Sequence, residues 1–158
     1  MILREFKESD LQDIKKIVAE AWKPVYDYRK RVMDSSIFES IWKKGSVTKS
    51  ENLSEWCLNN PYNVMVTELD QKVVGFITWE EYNKDTVELS NNAVSPEFQN
   101  QGIGTMMYQW FLSEMKKKGY SYTFVFTGLD EAHDSARAAY KKMGFSTPIE
   151  MVRYYKKL

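Results

Sequence analysis

The segment Val87–Thr105 combines residue types at a spacing that could bind a phosphate. It reads VELSNNAVSPEFQNQGIGT and predicts a strand, a loop and the start of a helix. The first turn of a helix has backbone N–H groups without intrahelical partners, and the helix dipole places partial positive charge there. Gly102 and Gly104 lack a Cβ, so a phosphate could approach these amides closely. The same glycines could instead only permit a tight strand-to-helix turn, and both interpretations stay open from the spacing.

Two common nucleotide-binding motifs do not fit this segment. No Gly-Lys-Ser/Thr follows the glycines, which excludes a P-loop. A dinucleotide-binding fingerprint needs a third glycine, and it opens a βαβ unit, whereas the strand before this loop belongs to a meander. The glycine spacing alone therefore does not identify the ligand.

Hydrophobic periodicity predicts the elements that must position this loop. Apolar residues at helical spacing predict helices over 10–22, 102–118 and 135–143, with one or two more between 25 and Gly45 and another over 50–60. Alternating apolar residues predict strands over 2–6, 64–69, 72–79, 86–94, 122–127 and 150–156. Short turns join three of these strands into an antiparallel meander, and a strand–helix–strand unit follows. This order predicts an α/β (α+β) fold with a mixed, mainly antiparallel central sheet and helices on both faces.

Length, charge and composition narrow the class of protein. The chain has 158 residues, which fits a single domain over 1–158. Lys plus Arg and Asp plus Glu both number 22, and this balance argues against a nucleic-acid partner. One cysteine, Cys57, and one histidine, His133, argue against an internal disulfide and a metal site. With no apolar run of about 20 residues and no secretory signal, we expect no membrane partner and a cytoplasmic location.

Two motifs in the second half of the chain resemble, in their order and spacing, those of a known family. Gln99-x-x-Gly102-x-Gly104 follows Val94-Ser95-Pro96-Glu97-Phe98, and ARAAYKKMGF stands at 136–145. They resemble motifs A and B of the GNAT superfamily of acyl-CoA-dependent N-acyltransferases. The resemblance covers nearly the whole chain, and residues 25–60 are the part it constrains least. It implies a GNAT-like sheet with strands splayed at the CoA site, acetyl-CoA as co-substrate and no metal.

The resemblance also implies roles for individual residues. The CoA pyrophosphate would be held at Gln99, Asn100, Gln101, Gly102, Ile103, Gly104 and Thr105. The pantetheine arm would bind along Asn92, Ala93 and Val94, where a bulge parts this strand from its parallel neighbour at 122–127. The motif B helix, with Ala136, would flank the arm. Many members have Asn at the position of His133, and some have His, so its role is open between helix capping, a CoA contact and catalysis.

Acyl transfer from a thioester to an amine needs a base for the amine and benefits from an acid for the leaving thiolate. The motif match makes Tyr140 the candidate acid, although the helix pattern alone would equally suit a core tyrosine. Glu88 is the candidate base, on the same nominal face of its strand as Ser90 and Asn92 and about 13 Å upstream of the pantetheine contact. This distance implies a relay through water, and the alternative is a solvent-facing glutamate.

The sequence thus predicts an N-acetyltransferase that moves acetyl directly from acetyl-CoA to a primary amine, with a small molecule as the acceptor. A protein N-terminal or lysine acetyltransferase and a non-catalytic acyl-CoA-binding module remain alternatives. The aromatic-rich strand at 150–156 could also pair across a homodimer.

Overall fold

The computed structural model describes residues 1–158, the side chain of Ser46 excepted. Five strands are present: β1 (Ile2–Glu5), β2 (Val64–Leu69), β3 (Lys72–Asn83), β4 (Thr86–Val94) and β5 (Tyr122–Val125). The α-helices are α1 (Leu11–Ala21), α2 (Lys23–Val32), α3 (Ser35–Ile41), α4 (Gly45–Asn59), α5 (Ile103–Lys117) and α6 (Asp134–Lys142). Most of the predicted boundaries lie within a few residues of these.

The strands form one sheet in the order β1-β2-β3-β4-β5. The pairs β1–β2, β2–β3 and β3–β4 are antiparallel, while β4 and β5 run parallel. The parallel pair arises because α5 carries the chain across the sheet between β4 and β5. This topology confirms the predicted mixed, mainly antiparallel sheet.

Two apolar cores lie on opposite faces of the sheet. On one face, α5 and α6 pack on side chains of β3 and β4 that include Ile77, Val87 and Leu89. On the other face, α1 and α4 pack on β2 and β3 through residues such as Val66 and Phe76. The alternation of side chains along each strand supplies both faces, so helices cover both sides as predicted.

The segment 25–60 differs from its prediction. Its three helices agree with the number predicted, but α4 begins at Gly45 rather than at Ser50, and only short breaks near Asp34 and Lys44 separate α2, α3 and α4. Pro24 lies in the first turn of α2, directly after α1 ends at Ala21. A proline is tolerated there because its missing N–H would have no intrahelical partner.

The predicted last strand over 150–156 is wrong. No strand follows β5 in the chain as described, and the side chains of Ile149 and Tyr154 are 87% and 90% exposed. An alternating pattern becomes a strand only where a neighbour supplies ladder hydrogen bonds. The tail has no such neighbour, so it stays irregular, and the homodimer based on it remains a prediction.

Among the described residues, no helix is both long and apolar enough to cross a membrane.

Candidate active site

A one-residue bulge interrupts β4 opposite Thr78. Ile77 pairs with Asn92, but Trp79 pairs with Leu89, so Ser90 and Asn91 together oppose Thr78. The buried Thr78 Oγ1 accepts a hydrogen bond from the Asn91 amide at 2.9 Å. Thr78 thereby satisfies the backbone donor that the bulge removes from the ladder.

The bulge changes which face the following residues occupy. Leu89 lies in the core beneath α5, and Val94 packs against that same core, although the two are five positions apart and would face opposite sides in a regular strand. Ala93 packs against the opposite core. Asn92 therefore lies on the α5–α6 face and Glu88 on the α1–α4 face. The prediction that Glu88 and Asn92 share a face is wrong, because the period of two holds only up to the bulge.

Strands β4 and β5 separate directly after this point. Their pairing extends from Thr86 opposite Tyr122 to Leu89 opposite Val125 and no further. A cleft of about 470 Å³ opens between the parted strands. Trp22, Val25 and Lys49 line it from one face of the sheet, and Tyr108, Ala136 and Tyr140 line it from the other. The cleft therefore passes through the plane of the sheet.

The loop before α5 presents free backbone donors to one end of this cleft. Asn100 and Gly102 have φ angles of 60° and 82°, which turn the chain sharply into the helix. In the chain as described, no amide from Asn100 to Thr105 donates to a backbone carbonyl, whereas the Met106 amide donates to Gly102. The Gln99 side chain donates to the Val94 carbonyl at 3.2 Å and fixes the start of the loop. Convergent free amides at a helix N-terminus suit an anionic ligand.

The structure brings most of the predicted site residues to this cleft. The residues that line it are Asn92, Ala93, Val94, Gln99, Asn100, Gly102, Ile103, Gly104, Thr105, His133, Ala136 and Tyr140. Gln101 is exposed outside the cleft wall. Glu88 also lies outside the wall, which agrees with its position before the strands separate.

Tyr140, Asn92 and Tyr108 form a hydrogen-bonded group at the centre of the cleft. The Asn92 Nδ2 donates to the Tyr140 hydroxyl at 3.1 Å, and the Tyr108 hydroxyl donates to Asn92 Oδ1 at 2.7 Å. Tyr108 thereby fixes the orientation of the amide. The Tyr140 hydroxyl also donates to Asn92 Oδ1, but at 3.3 Å, and that oxygen already accepts the shorter hydrogen bond from Tyr108. A group in the cleft that binds the Tyr140 proton would therefore replace only this long hydrogen bond.

The surroundings of Tyr140 keep its hydroxyl protonated. Burial raises its pKa above the ordinary value for a phenol, and the hydrogen bonds from Asn92 and Tyr108 oppose that rise. Only 7% of the residue is exposed. A protonated phenol that faces the cleft can act as a proton donor at neutral pH.

Glu88 has the electrostatic properties of a base. Burial raises its pKa above the ordinary value for a glutamate, and the negative charge of Glu80 raises it further. Glu80 and Glu88 are direct partners across the β3–β4 ladder. A carboxylate with a raised pKa binds a proton more readily, which suits general base chemistry.

His133 is tied to the loop that leads into α6. Its Nδ1 lies 2.8 Å from Asp130 Oδ1, and Asp130 also accepts from the Ala132 amide. Gly128 makes this arrangement possible, because a Cβ at that position would lie 2.5 Å from both side chains. The histidine therefore braces the turn before α6 while it lines the cleft.

Sequence reasoning missed three residues of the site: Thr78, Tyr108 and Lys49. Tyr108 lies beside the predicted apolar stripe of α5. Nothing in its spacing shows that its hydroxyl reaches a residue of β4. Thr78 matters only through the bulge, and β-branched residues are ordinary in strands. Lys49 lies four and eight residues before Leu53 and Cys57, which are buried against the sheet. That spacing was a usable signal, because it places a lysine on the inward stripe of α4.

The described residues contain no group of three or more His, Cys, Asp and Glu side chains that could hold a metal ion.

Comparison with known proteins identifies the family. The model of the acetyltransferase (GNAT) family matches residues 22–145. The chain belongs to the GNAT family of acetyltransferases. This GNAT acetyltransferase has no match among curated proteins.

Solved structures share its fold at low sequence identity. The PaiA N-acetyltransferase from Thermoplasma acidophilum, in complex with coenzyme A, is 20% identical over 93% of this chain and 90% of its own, with a TM-score of 0.73. A GNAT acetyltransferase from Brucella melitensis, in complex with acetyl-CoA, is 17% identical over 92% and 82%, with a TM-score of 0.65. The aminoglycoside acetyltransferase meta-AAC0020 from an uncultured soil sample, in complex with sisomicin, is 21% identical over 99% and 95%, with a TM-score of 0.60. These likenesses confirm the predicted fold.

Proposed function

We propose that this GNAT acetyltransferase moves an acetyl group from acetyl-CoA directly to the primary amine of a small molecule. The cleft through the sheet carries the proposal, because it gives access to one reaction centre from two faces. The donor would enter along the free amides of the loop before α5, and the acceptor would approach from the side of α1, α2 and α4. Two substrates held together need no covalent enzyme intermediate.

Acetyl-CoA would bind in two parts. The amides between Asn100 and Thr105 would donate to its pyrophosphate, and the backbone of β4 beyond the bulge would pair with the pantetheine arm. The parted strands leave the β5-facing edge of residues 90–94 without a strand partner, which supports the second contact. Solved GNAT structures with coenzyme A or acetyl-CoA support this choice of co-substrate.

Tyr140 and Glu88 would share the proton transfers from opposite faces. Glu88 would take a proton from the acceptor ammonium through water, and the neutral amine would attack the thioester carbonyl carbon. The C–S bond then breaks, Tyr140 would donate its proton to the leaving sulfur, and the nitrogen would lose its extra proton to water. The products are a neutral amide and a free thiol, and Tyr140 would regain its proton from solvent. The position of the Tyr140 hydroxyl in the cleft and the raised pKa of Glu88 both support these roles.

A small-molecule acceptor is favoured over a protein because side chains of three helices border the acceptor side of the cleft. The structure of an aminoglycoside acetyltransferase with sisomicin gives a precedent for a small amine on this fold.

The single domain, the cytoplasmic location and the homodimer predicted from the sequence remain predictions.

The direct test is incubation with acetyl-CoA and a panel of small amines, peptides with free N-termini and lysine peptides. Thiol release would report turnover, and mass spectrometry would identify the acetylated product. Transfer to small amines is the expected result. Transfer only to peptides would contradict the acceptor class, and binding of coenzyme A without any transfer would indicate a non-catalytic module.

A further inference from the structure

The ammonium group of Lys49 lies on the side of the cleft where the acceptor would bind. It lies on the inward stripe of α4 with Leu53 and Cys57, and its side chain lines the cleft. Its Nζ donates to Asn91 Oδ1 at 2.5 Å and lies 5.4 Å from the centre of the Trp22 ring. The ammonium therefore sits next to the bulge, one residue from the Asn92 that holds Tyr140.

No protein carboxylate balances this charge. Within the described part of the chain, no Asp or Glu oxygen lies within 4.0 Å of Lys49. Its hydrogen-bond acceptor is the neutral amide of Asn91. A partly buried ammonium without a counter-ion is unfavourable, and a bound anion would relieve that cost.

Arg29 adds a second positive charge to this region. Its guanidinium stacks 4.0 Å above the centre of the Trp42 ring. Burial lowers the pKa of Lys49, and the positive charge of Arg29 lowers it further. An anion bound beside Asn91 would oppose both effects and favour the charged form of Lys49.

In the proposed binding mode the donor supplies no anion to Lys49. The pantetheine arm is uncharged where it would pass Asn92, and the phosphates of coenzyme A would lie at the loop after Gln99. The acceptor is the remaining source of negative charge. Glu88 and its ladder partner Glu80 lie on the same α1–α4 face as Lys49, and the Ser90 hydroxyl donates to Glu80 Oε1 at 3.2 Å. This face of the sheet therefore offers two carboxylates on one side of Ser90 and an ammonium on the other.

We propose that Lys49 binds an anionic group of the acceptor, so that the substrate class is small amines that also carry a carboxylate. This inference rests on the proposed acetyl transfer and specifies its acceptor. The carboxylate of the substrate would pair with Lys49 Nζ, and its amine would lie toward Glu88 and the thioester.

The test compares amino acids with their carboxamides as paired acceptors, with kcat/KM corrected for the fraction of neutral amine. The wild type should favour the carboxylate member of a pair. Lys49→Gln should lower kcat/KM for the amino acid by about tenfold or more, mainly through KM, because a charge-assisted hydrogen bond is lost. The same variant should change kcat/KM for the carboxamide by less than about threefold, and Lys49→Arg should restore part of the preference.

Lys30→Gln is the matched control, because Lys30 is exposed on α2 and does not line the cleft. It should leave the preference unchanged. An unchanged affinity of Lys49→Gln for coenzyme A would show that the variant is folded. Equal loss on both members of each pair would overturn the anion site and leave the acetyl transfer standing. No transfer to any amine would overturn the proposed function and this inference together.

Discussion

The side-chain amide of Asn92 donates to the Tyr140 hydroxyl at 3.1 Å and so joins the bulged part of β4 to helix α6. The pair lies on the α5–α6 face, and Glu88 lies on the other. The proposed proton donor and proton acceptor thus lie on opposite faces of one sheet, close to the point where β4 and β5 separate. The bulge is responsible, because without it Asn92 would face away from Tyr140.

Tyr140→Phe removes the proposed acid and little else from the cleft. We expect kcat to fall by about a hundredfold or more, as is usual when general acid catalysis is lost. The affinity for coenzyme A should stay within about threefold, measured by calorimetry, because the hydroxyl does not contact the phosphates. Tyr62→Phe is the control, since Tyr62 is 85% exposed and lies outside the cleft. Unchanged turnover in Tyr140→Phe would remove the residue from its role.

The acid side of the pH–rate profile should report Glu88. Only the carboxylate can accept a proton, so kcat/KM should fall as the pH drops through the pKa of Glu88. Burial and Glu80 raise this pKa, so the fall should lie above the ordinary glutamate value of about 4.3. Glu80→Gln removes the like charge, lowers the pKa of Glu88 and should move the acid limb to lower pH.

Glu81→Gln provides the control for this shift. Glu81 is next in sequence but accepts a hydrogen bond from Tyr120 at 2.8 Å, and it does not contribute to the pKa of Glu88. Its substitution should leave the acid limb in place. Glu88→Gln should abolish the limb and lower the rate at neutral pH. An acid limb that stays fixed in Glu80→Gln would argue against Glu88 as the base.

The parts of this molecule that could be predicted are those with a local signal. Gly102 and the stripe that begins at Ile103 mark the loop and α5, since a positive φ and a helical period both leave traces in the sequence. The tail at 150–156 has the period of a strand without a neighbour to pair with. The bulge at Ser90 and Asn91 leaves no periodic pattern in the sequence, because it depends on a hydrogen bond to Thr78 in another strand. The face of Glu88 relative to Asn92 was therefore beyond sequence reasoning.

The phosphate-binding role of the loop can be tested by substitution of Gly102, with Gly119 as the control position. Gly102 and Gly119 have φ angles of 82° and 95°, and neither would place a Cβ within 4 Å of another group. Alanine at either position should lower the free energy of unfolding by about 1 kcal/mol through the left-handed conformation alone. Gly102→Ala should also weaken coenzyme A binding by about tenfold, because its loop amides would shift. Gly119→Ala, at the far end of α5, should leave binding unchanged. Equal binding in both variants would contradict the loop as the phosphate site.

The bulge itself can be tested with two buried threonines of the sheet. Thr78→Val leaves the Asn91 amide without its acceptor, so we expect the free energy of unfolding to fall by about 1–3 kcal/mol. Thr67 is equally buried, but its hydroxyl has no partner among the described residues. Thr67→Val should therefore be neutral or stabilising, because an unsatisfied polar group is removed. Urea unfolding of both variants measures the difference.

The same two variants, Thr78→Val and Thr67→Val, also distinguish an effect on stability from an effect on catalysis. If Thr78 holds the register that brings Asn92 to Tyr140, then Thr78→Val should lower kcat even at temperatures where the variant is fully folded. Thr67→Val should keep the wild-type rate, since Thr67 lies on β2, which the cleft does not reach. A stable Thr78→Val variant with an undiminished kcat would show that the β4 bulge forms without this hydroxyl. The position of Asn92 would then depend on Tyr108 and Tyr140 alone.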